Sequence, residues 1–480
     1  MHPLLEKISD IKPYTIFFKQ GAQNRFFPPT RQELELFVKI ITELKPRLVG
    51  FSVLSPFAHI AKGLTRLVKI NFQPALVLWG GIHPTIAPQN CIREADVICR
   101  GEGEGAIAEL VEALRDGKPY QAVKNLWVKD RGLIIRNPMR PLIKDLDAIP
   151  APSYNNDSYY FIGRNKLTRD DPVLLQSSIP IETSRRCPFT CSYCVNSILK
   201  RLYRELGDYV IKRSVGNVIG EIKSCLNLAK IKTGCITFYD EDFVSEKSWL
   251  DDFVLQYRRE IGLPFQIKCN PNHIAFDVLD KLTEAGLFMV NIGIQSGSDY
   301  IRNQIFHRAE KNKEIINLAR KLASNKLMIL YDLILNNPYE TEETLKQAIA
   351  LILQLPMGRF RFFSLNFFPN YPLTKKALKD GLIRPKGYIA DNISKNIRLW
   401  KFIPRFSSDK KQILQNIIWL VSRQHILARH VFARKGIINY AVFGNSSGSR
   451  LCLSFLNFIA FISDRFFRFF RNKLHKDMNY

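Results

Sequence analysis

Apolar runs that end in glycine alternate with stretches of helical spacing through the first 150 residues. RLVGFSVLS (47–55) and ALVLWGGIHPT (75–85) read as buried strands, and HIAKGLTRLVKINF between them carries apolar residues at the helical period. ADVICRGEGEGAIAELVEALRDG repeats the order of strand, Gly-rich turn and helix. Strands separated by helices predict a parallel sheet, which binds ligands beyond the carboxyl ends of its strands. YTIFFKQ is a candidate earlier strand, and NLWVKDRGLIIRNPMRPLIKDLDAIPAPSY reads as a hairpin followed by a Pro-rich connector. The expected organisation is a Rossmann-like α/β domain over 1–150 and a connector over 151–174.

Over 175–388 the alternation recurs six times, with candidate strands IPIETS (179–184), CITFYD (235–240), FQIKCN (265–270), FMVNIGIQ (288–295), LMILYDLIL (327–335) and FRFFSLNFF (360–368). VGNVIGEIKSCLNLAKI and TEETLKQAIALILQL are among the helical patterns in the gaps. Six such units predict a curled, partial (β/α)6 barrel whose functional groups sit on the loops after the strands. Residues 389–480 read as a third region, helical, basic and rich in Phe.

A chain of 480 residues with 46% apolar content has room for two or three cores. Its formal charge of +26 attracts anions, whether nucleic acid, anionic lipid headgroups or a phosphorylated substrate, and does not choose among them. The nine cysteines are an odd number, and MHPLLEKISD opens the chain without an apolar signal segment. A reducing cytoplasm is therefore expected in place of a disulfide framework. No apolar run reaches the roughly 18 residues a membrane span requires.

Three of the cysteines, Cys187, Cys191 and Cys194, fall within SRRCPFTCSYCVNS, directly after the first barrel strand. Three thiolates do not complete a tetrahedral structural zinc site, and no further Cys or His follows at zinc-finger spacing. Electron-transfer 4Fe-4S clusters usually take four cysteines. A cluster held by three leaves one iron open to an exogenous ligand, which is the arrangement catalysis needs.

C-x3-C-x2-C with an aromatic residue before the last Cys, placed after a first barrel strand, resembles the radical SAM superfamily. The resemblance implies a 4Fe-4S cluster on Cys187, Cys191 and Cys194, with the open iron chelating S-adenosylmethionine (SAM) and Tyr193 near the adenine. It also implies a flavodoxin- or ferredoxin-type reductant, and reductive cleavage of SAM to a 5'-deoxyadenosyl radical. FYDEDF (238–243) is similar to the family's acidic motif after the second strand, so Asp240, Glu241 and Asp242 become candidates for the methionine ammonium; a solvated acidic loop is the bland alternative. GIQSGSD (293–299) resembles the Gly-Ile-Glu-Ser-Gly segment, with Gln295 where Glu is commoner and Ser296 as a ribose or carboxylate contact. Arg308 matches a basic residue that reaches the methionine carboxylate, and reads equally as a surface arginine. LILNNPYETEET (333–344) resembles the G-x-P-x-E-T segment, with Asn336 where Gly is frequent.

The first region is similar to the cobalamin-binding domain found ahead of many radical SAM barrels, through LVGFSVLS, WGGIHPT and CRGEGE. This resemblance implies that Gly80 and Gly81 let the corrinoid's nucleotide tail approach backbone, with Ser52, Ser55, His83, Thr85, Glu102 and Gly103 lining the edge. No D-x-H-x-x-G string occurs, so any corrinoid is expected to lack a protein histidine ligand. An α/β domain that keeps the shape without the cofactor is the alternative.

In the tail, residues 401–480 hold 14 Lys plus Arg against three Asp plus Glu. LCLSFLNFIAFISDRFFRFFRNKLHK (451–476), with Arg465, Arg468 and Arg471 three apart, suits an interfacial helix or a basic helix docked on the barrel. Nucleic acid ranks lower, because no RNA-binding module is recognisable. The leading expectation is a radical SAM enzyme that C-methylates an unreactive carbon with cobalamin as methyl donor, on an organic substrate of lipid or tetrapyrrole type. A cobalamin-independent ring-forming or rearranging enzyme and a non-enzymatic cluster protein binding membrane or RNA are the alternatives.

Overall fold

In this computed structural model the described residues are 1–19, 28–154, 157–244, 246–384, 402–422, 441–442, 446–447 and 449–460. The fold class is α/β, as expected, and the chain divides into two compact units. One comprises Met1–Pro264 with Asn366–Ile397, the other Phe265–Leu365 with Arg398–Tyr480.

The first unit contains a five-stranded sheet in the order Leu48–Ser52, Leu76–Gly80, Val97–Cys99, Leu126–Asp130, Leu133–Arg136. The first three strands are parallel and the last two antiparallel, a hairpin at the sheet edge. Side chains alternate across the sheet. Val77 and Trp79 enter one core with Phe37, Ile40, Leu64 and Val68 from the helices Arg31–Leu44 and Ala58–Asn71. Leu78 enters the other with Ala106 and Leu110 from the helix Glu104–Asp116. Burial on both faces is why the strands read as continuous apolar runs. Thr30 caps its helix in a reciprocal box with Glu33.

The candidate strand near residue 15 exists as Thr15–Phe18 but pairs with Tyr159–Gly163, which pairs in turn with Lys166–Thr168. The connector thus carries two strands, because Tyr160 and Ile162 are buried in the core beneath the first sheet face. Pro-rich flanks mask this apolar run in the sequence.

All six strands of the middle region form. In the first unit Ser178–Ile181 pairs parallel with Cys235–Phe238, and the helix Val215–Leu228 between them is capped by Ser214. In the second unit Phe265–Cys269, Leu287–Gln295, Met328–Leu335 and Arg359–Ser364 pair in sequence order, all parallel. There Gly297 is indispensable: a Cβ would fall 2.1 Å from Ala348 Cα. The helix Lys410–Ser422 buries Ile413, Leu414, Ile417, Ile418 and Trp419. Residues 449–460 are helical, with Leu456, Asn457 and Ala460 buried and Leu451, Phe455 and Phe458 exposed. The stretch holding Arg465, Arg468 and Arg471 lies outside the described residues. Among these residues no helix is long and apolar enough to cross a membrane.

Candidate functional site

The cysteine loop begins where Ser178–Ile181 ends. A short antiparallel pair, Ser184–Arg185 with Ile211–Lys212, holds its entry. Lys200 Nζ donates to Pro188 O at 2.6 Å and braces the loop against the helix Asn196–Leu202. Cys187 and Cys191 are buried, Cys194 and Tyr193 partly so. Burial pushes the Cys187 thiol up to about 12, with Glu241, Cys194 and Cys191 adding their charges. It pushes Cys194 to about 11, again with Glu241 and Cys191 contributing. The three thiols and Glu241 therefore share one electrostatic neighbourhood. Among the described residues no three Cys, His, Asp or Glu converge tightly enough for a single metal ion.

The three acidic residues after Cys235–Phe238 differ in their surroundings. Asp240, only 2% exposed, accepts from Thr183 N at 3.1 Å, Thr183 Oγ1 at 2.6 Å and Ser184 Oγ at 2.5 Å. It ties the end of one strand to the loop that leads from the other into the cysteines. Asp242 is buried, whereas Glu241 is exposed. Lys212, which sequence reading did not single out, is half-buried beside them. Its Nζ donates to Phe243 O at 2.7 Å and lies 4.1 Å from the Trp249 ring centroid. Burial lowers its pKa to about 8 against the opposing charges of Asp240, Glu246 and Asp242.

A cavity of about 1080 Å³ opens within the first unit. It exceeds the roughly 300–1,000 Å³ of ordinary small-molecule sites. Ser52, Gly80, Gly81, Glu102 and Gly103 border it from the sheet edge, Arg185, Arg186, Val195 and Asn196 from the cysteine segment, and Asp240 and Glu241 from the acidic loop. Gly81 has φ +94°, and a Cβ there would stand 3.0 Å from Val53 N. Glycine is thus required there by the backbone conformation and by close packing on Val53, and its place on the wall of a cavity this large fits a bulky ligand. Ser55, His83 and Thr85 stand back from the cavity. Ser55 Oγ and His83 Nδ1 are 3.0 Å apart, while Thr85 Oγ1 donates to Gly81 O at 2.8 Å and accepts from Gly101 N at 3.0 Å. These bonds shape the two Gly-rich turns.

Glu102 accepts from Ile143 N at 2.7 Å and pairs with both Arg185 and Arg186 at 3.2 Å. Glu104 takes the other fork of Arg185 at 2.6 Å. Burial works against the Glu104 charge, but the Arg185 hydrogen bond holds its carboxyl below the usual value. These ion pairs join residues 81 to 84 positions apart, and no motif announces them.

In the second unit Gln295 ends its strand at φ +66°. Ser296 Oγ donates to the buried Glu340 at 2.8 Å. Arg308 is half-buried and tied down, not a free surface arginine: Nη2 donates to Gly293 O at 2.9 Å and Glu310 Oε1 at 2.6 Å. Asn336, at φ +56°, takes the left-handed conformation that Asn tolerates better than most residues, and its Nδ2 donates to Ser364 Oγ at 2.8 Å. Arg302, on the π-helical turn Ile301–Ile305, is fully buried and was missed in the sequence. It donates to Glu310 O at 2.9 Å and Asn312 Oδ1 at 2.7 Å, and also contacts Ser296 O and Asp299. It organises the whole Gln295–Asn312 segment.

A cysteine loop after a parallel strand, an acidic loop and a Gly-rich sheet edge thus border one large cavity in an α/β protein. Residues 181–352 match the radical SAM superfamily and residues 23–111 the B12 binding domain. The chain is a radical SAM protein carrying a B12-binding domain ahead of its radical SAM domain, and 4Fe-4S, SAM and cobalamin are the cofactors that go with these domains. It is 26% identical over 415 residues to an uncharacterized methyltransferase of Pyrococcus horikoshii, spanning 83% of this chain and 84% of that protein. It is 27% identical over 327 residues to the anaerobic magnesium-protoporphyrin IX monomethyl ester cyclase of Rubrivivax gelatinosus, spanning 65% of this chain and 55% of the cyclase. The radical SAM methyltransferase TsrM from Kitasatospora setae shares the fold, with a TM-score of 0.59 and 16% identity over 72% of this chain and 68% of TsrM.

The Asp240 contacts yield a stability prediction. Asp240→Ala strands the Thr183 and Ser184 donors and should cost about 2–4 kcal/mol in denaturant unfolding. An unchanged midpoint and slope would show that the carboxylate does not hold the loop entry.

Proposed function

We propose that this protein is a corrinoid-dependent radical SAM methyltransferase acting on an unactivated carbon. The observation that carries the reading is the single cavity bordered by the B12-binding sheet edge, the cysteine segment and the acidic loop. When bound, the cluster would supply the electron that cleaves SAM, and the corrinoid the methyl group. Cys187, Cys191 and Cys194 would hold the cluster, with Tyr193 beside the adenine. Asp240 has its acceptors engaged by Thr183 and Ser184, so Glu241, exposed at the cavity, is the carboxylate we assign to the methionine ammonium. Gly80, Gly81, Ser52 and Gly103 would face the corrinoid. For Gln295, Ser296 and Arg308 the reading as SAM contacts rests on their motifs. The domain limits we propose are 1–150 for the corrinoid region and 175–388 for the barrel. The cyclase relative favours a second reading, ring formation on a tetrapyrrole.

With SAM carrying a labelled methyl group, reductant and cobalamin, the label should enter an organic product; a product that gains a ring and no label would favour the second reading. Cys191→Ala should abolish both iron content and SAM cleavage. Glu241→Gln should keep its iron but bind SAM roughly tenfold more weakly, the loss of one charge-assisted hydrogen bond. Unchanged SAM affinity would remove that role.

We further propose peripheral contact with anionic lipid through the helix at 449–460, supported by its exposed Leu451, Phe455 and Phe458 and by the basic sequence that follows. Cosedimentation with anionic vesicles should weaken with salt and fall further in Phe455→Ser/Phe458→Ser. Equal partition of variant and wild type would refute it.

A further inference from the structure

Two places after the last cysteine of the loop stands Asn196, at the start of the helix Asn196–Leu202 and on the wall of the large cavity. It is 6% exposed, and Ile198 and Leu199 beside it in the helix are buried too. An amide so withdrawn from water is unfavourable unless each end finds a partner. Asn196 Nδ2 donates to Cys194 Sγ at 3.7 Å. Its Oδ1 accepts from the Tyr209 hydroxyl at 3.1 Å. Tyr209 is itself held in place, its ring centroid 6.3 Å from that of Tyr203 and 5.7 Å from the Arg186 guanidinium. The amide is thus clamped between a hydroxyl donor and a sulfur acceptor. The reverse orientation would set a carbonyl oxygen against the sulfur, so this pairing fixes which end faces it.

A hydrogen bond to sulfur matters most when that sulfur carries charge. A thiol is a weak acceptor, whereas a thiolate on a cluster shares the cluster's negative charge. The Asn196 backbone N–H also reaches Cys194 Sγ, and the Phe189 backbone N–H reaches Cys187 Sγ. Donors gathered on these sulfurs fit a cluster resting on thiolates. Main-chain donors come with the loop whatever its sequence, but the Asn196 amide is a donor that this sequence adds. Reduction of a cluster places more negative charge on its sulfurs, so a donor at a ligand sulfur favours the reduced state and raises the potential.

We propose that Asn196 raises the reduction potential of the cluster through its Nδ2 hydrogen bond to Cys194 Sγ, and that Tyr209 holds the amide in the orientation this requires. Both are positioning residues: Asn196 acts through Cys194, and Tyr209 through Asn196. The step they favour is the transfer of one electron from a flavodoxin- or ferredoxin-type donor, which is oxidised, to the cluster, which is reduced. No proton leaves the amide. This rests on the cluster reading above and is independent of the corrinoid and of methyl transfer.

The test is a potentiometric titration of anaerobically reconstituted full-length protein without SAM, followed by the paramagnetic signal of the reduced cluster, together with iron content. Asn196→Leu should hold as much iron as wild type. At a fixed potential its ratio of reduced to oxidised cluster should be about tenfold lower, or ~59 mV for a one-electron couple. Asn196→Asp keeps the shape but sets a carboxylate against the sulfur, and should lower the ratio at least as far. Tyr209→Phe should shift it the same way by less, and it decides the matter if both changes at Asn196 cost iron. Ratios within about twofold of wild type in the variants that hold the cluster would overturn the proposal. Wild-type protein that takes up no cluster would instead contradict the cluster reading itself.

Discussion

The arrangement depends on one half-buried electrostatic knot: Arg185 and Arg186 paired with Glu102 and Glu104. The acidic residues leave the third parallel strand of the N-terminal sheet, and the basic ones lead into the cysteine loop. Charges partly withdrawn from water are favoured when paired and hydrogen-bonded, and losing one partner weakens the hold on the others. The knot therefore specifies where the loop sits more than it adds to net stability. The sheet edge, the loop entry and the acidic loop thereby come to border one cavity.

Around that knot the first unit spends local stability on geometry. Gly81 takes a positive φ with the Val53 backbone packed where a Cβ would stand, and Arg186 takes a left-handed conformation without a glycine's freedom. Asp240 gives up its acceptors to fix the loop entry, which leaves Glu241 as the exposed acidic group. In the second unit Arg302 plays the matching internal role, its guanidinium gathering Ser296, Asp299, Glu310 and Asn312.

Much of this was legible in the sequence, where the information is local. The six strands of the middle region, the parallel N-terminal sheet and the three-cysteine loop each announce themselves through period, glycine placement and spacing. What escaped is what depends on distant pairing. Thr15–Phe18 finds its partner in Tyr159–Gly163, and no short-range pattern encodes that. Glu102 lines the cavity, and no short-range pattern encodes the engagement of its carboxylate by Ile143, Arg185 and Arg186. No motif singled out Arg302 or Lys212, and Arg308 read equally as a SAM contact or a surface arginine; only the fold reveals Arg302 fully buried and the other two half-buried. Asp240, Glu241 and Asp242 were indistinguishable as a string, and hydrogen bonding and exposure separate them.

The central claim is that cluster and corrinoid border one cavity. Electron paramagnetic resonance of the reconstituted full-length protein holding both cob(II)alamin and the reduced cluster tests it most directly. The account predicts that each spin broadens the other's signal through dipolar coupling, relative to protein holding either group alone. Two signals that simply add, in protein with both groups bound on every chain, would contradict it.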